Sequence, residues 1–216
     1  MTVYRLYLKV NIAKIVNIIL LTHINTLMKK IMSQLLSPLV IISLGFSVSA
    51  FAGPFTLSSQ DISQGEFMSK AHEFTGFGCS GKDLSPQLAW SGAPEGTKSF
   101  AITVYDPDAP TGSGWWHWQI VNIPKDVTEI KANAGSTKEK LTPEGSMQIK
   151  NDYGQRGFGG ACPPSGHGIH HYRFTVHALS VDNLALPEGA SGALAGYMIN
   201  ANTIESATIE SLYKRD

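Results

Sequence analysis

Two short stretches hold the side chains that could do chemistry. In "DPDAPTGSGWWHW", Asp106 to Trp118, two acids flank a proline, and His117 follows behind turn formers and tryptophans. In "GHGIHHY", Gly166 to Tyr172, three imidazoles precede a phenol. Carboxylates, imidazoles and a phenol gathered in one place can hold a metal ion, exchange protons as acid and base, or hydrogen-bond a ligand without changing it. Taken singly, each has a structural use: an Asp beside a Pro caps its own turn, and a histidine at a strand end is solvated. The elements that position these residues decide between the two.

Those elements are mostly strands. Lys98 to Asp106, "KSFAITVYD", sets Phe100, Ile102 and Val104 on one face. His171 to Leu179, "HYRFTVHAL", sets Tyr172, Phe174, Val176 and Ala178 opposite His171, Arg173, Thr175 and His177. Trp118 to Ile123 is a third strand, with weaker ones near Phe55, Trp90 and Gln148. Gly and Pro clusters separate them, which predicts a mainly β chain, an antiparallel sandwich or barrel. One helix is predicted from Gly192 to Ser206, capped by Ser191, with Leu194, Met198, Ala201 and Ile204 along one stripe and an extended piece, Ala207 to Tyr213, after it.

The period of two then places the chemistry. Asp106 shares parity with Ile102 and Val104, and Asp108 follows on the same side past Pro107. His117 shares parity with Val121 and Ile123, and His170 with Tyr172 and Phe174. Antiparallel pairing across the intervening loop brings Asp106 and His117 to one end of a sheet. Asp106, Asp108, His117, His170 and Tyr172 are therefore expected at one inward-facing rim, with Trp115 or Trp116 walling a pocket and Trp118 packed in the strand. His167, His171 and His177 read as surface residues, and "HGIHH" has no zinc-finger or zincin spacing.

A glycine cluster, "YGQRGFGGACPP" from Tyr153 to Pro164, invites a phosphate-loop reading. No Lys-Ser or Lys-Thr follows it, and Pro163-Pro164 forbids a helix in register, so a loop whose backbone approaches a ligand fits better.

Charge and cysteine usage bound the possibilities. Residues 1–52 carry five Lys or Arg and no acid, while 53–216 carry twelve basic and all seventeen acidic residues, so zero net charge divides into +5 and −5. The acidic part argues against nucleic acid or an anionic membrane surface as partner. Met28-Lys29-Lys30, an apolar run and the exit Ala50-Phe51-Ala52 read as a secretory signal over 28–52. Residues 1–27 then read as the product of an upstream start, and 53–216 as one exported domain, periplasmic or released, long enough for a single core. Cys79 and Cys162 are in that setting most simply a disulfide, the alternative being two buried thiols.

"DPDAP" from Asp106, the aromatic-flanked His117, Gly160-Ala161-Cys162-Pro163-Pro164 and "GIHHY" from Gly168 together resemble the phosphatidylethanolamine-binding protein family, in its bacterial Raf-kinase-inhibitor-like branch. The resemblance spans nearly all of 53–216. It implies a sandwich of two antiparallel sheets with a C-terminal helix and a few short helices, and at one end a small pocket for phosphate-like groups. Carried over by position, that pocket is lined by Asp106, Asp108, Trp115, His117, Pro164, His170 and Tyr172. Where animal relatives have glycine this chain has Cys162, which stiffens the loop if bonded to Cys79. An exported protein has no access to cytoplasmic kinases, so the kinase-inhibitor label does not carry over as a function.

Three functions are compatible with these residues. The first is a non-catalytic binder of phosphate, a phosphomonoester or a phospholipid headgroup. In it the histidines and Tyr172 donate, the backbone N–H groups of the Gly160 to Cys162 loop complete the shell, and Asp106 holds an imidazole protonated. The second is a hydrolase using Asp106, His117 and His170, with or without a metal, although no activated nucleophile or metal motif is visible. The third is an inhibitor or signalling protein acting through protein contacts. No cofactor is implied, the ligand is a small anion, any protein target is unidentified, and a homodimer is compatible with the resemblance.

Overall fold

The computed structural model describes residues 2–35 and 53–216. The first part is one helix, α1 (Thr2–Leu35), whose residues from Ile18 to Met32 are exposed. Among the described residues no helix is long and apolar enough to cross a membrane. The apolar run and exit of the expected export signal, 36–52, lie outside the described residues.

The second part is built from ten strands: β1 (Thr56–Ser58), β2 (Thr75–Gly76), β3 (Cys79–Ser80), β4 (Leu88–Ser91), β5 (Ser99–Asp106), β6 (Trp115–Pro124), β7 (Glu129–Ile130), β8 (Met147–Gln148), β9 (His170–Leu179) and β10 (Thr203–Tyr213). Helix α2 (Gly192–Asn202) runs directly into β10. One sheet has the order β10-β9-β5-β6-β8 and a second the order β1-β4-β7, with β2 and β3 forming a small hairpin. Every pairing is antiparallel. The expected two-sheet sandwich is what forms.

Alternation explains the core. Phe100, Ile102 and Val104 of β5 and Tyr172, Phe174, Val176 and Ala178 of β9 face Phe55, Leu88, Trp90 and Ile130 between the sheets. The opposite face of the large sheet is also covered: Ala101, Val121 and Leu179 pack with Leu184, Ala195 and Ile199. Strand β5 is thus buried on both sides, which suits a central strand sharing hydrogen-bonded edges with β6 and β9.

Helix α2 corrects two expectations. It ends at Asn202, and β-branched Thr203 and Ile204 open β10 instead of continuing the helix. Its buried stripe is Gly192, Ala195, Gly196 and Ile199, while Leu194 and Ile204 are exposed. Proximity is the reason: a Cβ at Gly192 would lie 2.7 Å from Cδ1 of Trp116, so only small residues let the helix settle on that ring. Ser191 caps the helix as expected, its side chain accepting from the Leu194 N–H at 3.2 Å.

The same cover overturns the surface assignment of His177. It is 9% exposed, with Nε2 3.2 Å from Thr103 Oγ1 and Nδ1 3.3 Å from Thr203 Oγ1. Thr203 donates to the Ile199 carbonyl, so it accepts from a proton on His177 Nδ1, and Nε2 is left to accept from Thr103. Burial in this neutral tautomer depresses the His177 pKa to about 4. The unfolded chain therefore binds a proton that the native one refuses between its ordinary value near 6.5 and about 4. Stability is expected to fall across that window as pH drops, by roughly 3 kcal/mol from this residue. Urea titrations at pH 7 and pH 4 should show His177→Gln losing correspondingly less than the wild type; equal losses would contradict the assignment.

Candidate ligand-binding site

Strand β6 delivers His117 by a route that simple alternation does not describe. Val104 pairs with Trp118 and Tyr105 with Trp116, so His117 is an extra residue, a β-bulge. A second bulge falls between Ile120 and Ile123, where Asn122 takes a φ of 59°. The presumed parity of His117 with Val121 therefore fails, since Val121 packs under α2 while Ile123 faces the main core. The bulge nevertheless turns His117 to the core side beside Trp118. Trp115 pairs with Asp106 on that same side, and Trp116 points away to α2.

Six of the seven expected residues, Asp106, Trp115, His117, Pro164, His170 and Tyr172, line one pocket of about 190 Å³. Phe77, Pro110, Thr111, Tyr153, Cys162 and Pro163 complete most of its wall. Asp108 is not part of it. Its carboxylate instead receives the backbone N–H of His171 at 2.8 Å and the ring Nδ1 at 2.7 Å, contacts that hold its pKa below the usual carboxylate range against its partial burial.

The polar floor has a definite hydrogen-bond order. Asp106, 2% exposed, accepts from the Asp108 N–H on Oδ1 at 2.9 Å and from His170 Nδ1 on Oδ2 at 2.7 Å. The acid thus orients His170 rather than His117. His117 donates from Nδ1 to the Gly159 carbonyl at 2.8 Å, which leaves Nε2 without that proton. Burial lowers the His117 pKa, outweighing the raising effects of the Gly159 carbonyl and the Asp106 charge. The imidazole that Asp106 fixes is therefore His170, while burial works against a charge on free His117.

Two donors on the pocket residues remain unmatched. The Tyr172 hydroxyl and the Trp115 indole N–H are buried and make no hydrogen bond of ordinary geometry among the described residues. Burial, then the nearby Asp106 charge, push the Tyr172 pKa far up, with a weaker side-chain interaction with the Asp106 carboxylate adding to it, so its hydroxyl stays protonated. No Lys or Arg lines the pocket. Arg215 stands behind the wall instead, its guanidinium donating to the Pro163 carbonyl at 3.2 Å and the Gly78 carbonyl at 3.0 Å.

The glycine loop acts as a wall and not as a cradle. The N–H groups of Gly159, Gly160 and Ala161 donate to the His117 carbonyl, Asp83 Oδ1 and the His72 carbonyl, so Gly160 and Ala161 have none to spare for an anion. Glycine is needed at 160 for close approach: a Cβ there would lie 2.4 Å from the His72 carbonyl oxygen. The Cys79–Cys162 disulfide forms and ties this loop to the hairpin carrying Phe77. Tyr153 and Phe77 are pocket residues that alternation could not find. Tyr153 stacks on Phe74 with centroids 3.9 Å apart and donates to the Gly160 carbonyl, and its only advance sign was an aromatic at the head of the glycine cluster. Phe77, 75% exposed at a φ of 53° between Gly76 and Gly78, sits in a hairpin tip without periodicity.

Among the described residues no group of three or more metal-ligating side chains converges. Comparison with known proteins assigns the family of the chain. The family model described as phosphatidylethanolamine-binding protein matches residues 58–214. The chain is 54% identical over 166 residues to the UPF0098 protein YbcL of Escherichia coli K12, covering 77% of this chain and 91% of that one. It is 45% identical over 157 residues to YbhB of the same organism, covering 73% and 98%. The crystal structure of E. coli YbcL, described as a new member of the mammalian PEBP family, superposes with a TM-score of 0.74 at 53% identity over 75% of this chain and 99% of that one. On sequence and fold together, the chain belongs to the phosphatidylethanolamine-binding protein family.

Proposed function

We propose that the protein binds a small oxyanion, a phosphate or phosphomonoester whether free or as a lipid headgroup, and does not transform it. The observation that carries this reading is the buried Tyr172 hydroxyl, a protonated donor that makes no hydrogen bond of ordinary geometry among the described residues. A buried unpaired donor costs about 1–3 kcal/mol, which an accepting oxygen of a ligand would recover. The Trp115 N–H is in the same position, and His117 becomes a third donor when a bound anion draws a proton onto Nε2.

A binder accounts for these groups better than a hydrolase does. Among the lining residues, the Thr111 hydroxyl is spent on the Gly114 carbonyl and Cys162 is oxidised, which leaves no hydroxyl or thiol nucleophile of the serine, threonine or cysteine type. The disulfide also supports an exported, periplasmic location, since such bonds persist in oxidising compartments.

Inorganic sulfate, whose charge is constant across neutral pH, is the simplest probe. Tyr172→Phe is expected to weaken it by about tenfold or more, because a hydrogen bond to a charged group contributes about 1.5–3 kcal/mol. The melting temperature should change little, as the hydroxyl has no well-formed hydrogen bond among the described residues to lose. Unchanged sulfate affinity in calorimetric titration of this variant would refute the reading.

A further inference from the structure

The pocket presents a difficulty for an anion: its floor holds the Asp106 carboxylate, its lining has no Lys or Arg, and His117 is neutral. A positive charge has to be supplied. The hydrogen bonds around His170 show a route for one.

His170 gives its Nδ1 proton to Asp106, and its other nitrogen, Nε2, lies 2.8 Å from Nδ1 of His167. One proton occupies that gap. Asp106 and His170 are buried, whereas His167 is exposed on the loop between Gly166 and Gly168. A chain of hydrogen bonds therefore runs from the pocket floor to solvent through two imidazoles.

We propose that His167 is the outer member of a proton relay, Asp106–His170–His167, that charges the pocket when an anion enters. The proposal rests on the reading that the ligand is an oxyanion. In the unloaded state His167 donates from Nδ1 to the lone pair on His170 Nε2. A solvent proton adds to Nε2 of His167, and the Nδ1 proton passes to His170. His170 becomes an imidazolium held between Asp106 and His167, and His167 returns to neutral as the other tautomer. One proton enters and one charge appears beside the anion, and no side chain has to move. The bound anion and Asp106 both favour that charge.

Other ionisable groups surround His170 on every side. Asp108 and His171 form their own pair at the strand entrance, His117 faces it from β6, Tyr172 lies on its own strand, and Tyr213 pairs with it from β10 while bonded to Glu73. None of these joins His170 to solvent by a direct hydrogen bond; among the described residues His167 does.

Imidazole nitrogen NMR on the ligand-free protein tests the relay by itself. The two rings are expected to share one proton and titrate with a common apparent midpoint. His167→Ala and His167→Gln alter an exposed loop position and should fold, which melting curves check. His167→Ala is expected to shift the pH at which sulfate affinity is half-maximal downward by about one unit, a loss of about tenfold above that pH, because the His170 imidazolium loses its outer acceptor. It should also lower the proton uptake per sulfate, read by calorimetry in buffers of different ionisation heat. Glutamine can keep the hydrogen bond but not pass the proton, so it should restore the equilibrium affinity while slowing the proton-coupled phase of sulfate binding in stopped flow by about tenfold, whereas a purely structural His167 would be rescued in both. Independent titration of the two rings, or wild-type binding kinetics in His167→Gln, overturns the relay. Failure of sulfate to bind the wild type at any pH overturns the oxyanion reading instead, and the ligand-free titration still decides the relay.

Discussion

Reduction of the Cys79–Cys162 bond is expected to lower the melting temperature by about 10 °C or more, the largest single loss of stability in the molecule. The cysteines are 83 residues apart in sequence, so the bond removes a great deal of freedom from the unfolded chain. The loop-closure model gives about 4–5 kcal/mol for this length, and each kcal/mol moves the midpoint of a domain this size by about 2–4 °C. Arg215 bridges the same two segments through the Gly78 and Pro163 carbonyls and recovers part of the loss. Thermal melts with and without a phosphine reductant, with mass spectrometry confirming complete reduction, check the value. A fully reduced protein that melts unchanged would mean that the bond constrains nothing the fold has not already fixed.

Asp106→Ala is expected to cost about 3–5 kcal/mol, because two hydrogen bonds to a charged acceptor are lost at about 1.5–3 kcal/mol each. The side chain satisfies two donors at once: the His170 ring at 2.7 Å and the Asp108 backbone N–H at 2.9 Å. Alanine strands the ring N–H in a site where both partners were only 1–3% exposed, and it also releases the turn that ends β5. Asp106→Asn keeps an accepting oxygen for one donor and should cost markedly less. Urea denaturation at neutral pH compares the three proteins. A loss below about 1 kcal/mol for alanine would show that His170 finds another acceptor and that Asp106 is not its anchor.

Sequence alternation read the centre of the large sheet well because strands buried against a partner sheet cannot slip without exposing a whole face. Phe100, Ile102 and Val104 therefore led correctly to Asp106 at the inward end of β5. It read β6 less well. His117 was reached through a parity that two bulges break, and the conclusion survived because one bulge restores the inward direction. The stripe of α2 was missed because close packing on Trp116 selects glycine and alanine over the larger residues that a hydrophobic pattern favours. His177 looked solvent-facing on its strand, since nothing local reveals that Thr103 and Thr203 enclose it.

The pocket was legible to the same degree and for the same reasons. Residues on strands, such as Tyr172 and His170, could be placed by period, whereas Tyr153 and Phe77 lie in loops whose conformation is set by long-range contacts. The glycine loop was read only in part: its glycines allow the backbone to approach the segment at His72 and Glu73, and the Gly160 and Ala161 N–H groups are spent on Asp83 and His72, so of the expected donors only that of Cys162 is left for an anion. Charge shows the largest gap: alternation put Asp106 near both imidazoles, and only the packing shows that the acid serves His170 while burial works against a charge on His117.

Calorimetric titration of sulfate into the wild-type protein at about pH 5.5 and about pH 8.5 tests the central claim most directly. A pocket without a fixed cation, whose donors include an imidazole that must gain its proton, predicts binding at the lower pH that weakens by at least tenfold at the higher, with proton uptake on binding. Equal affinity at the two values, or no binding at either, would contradict it.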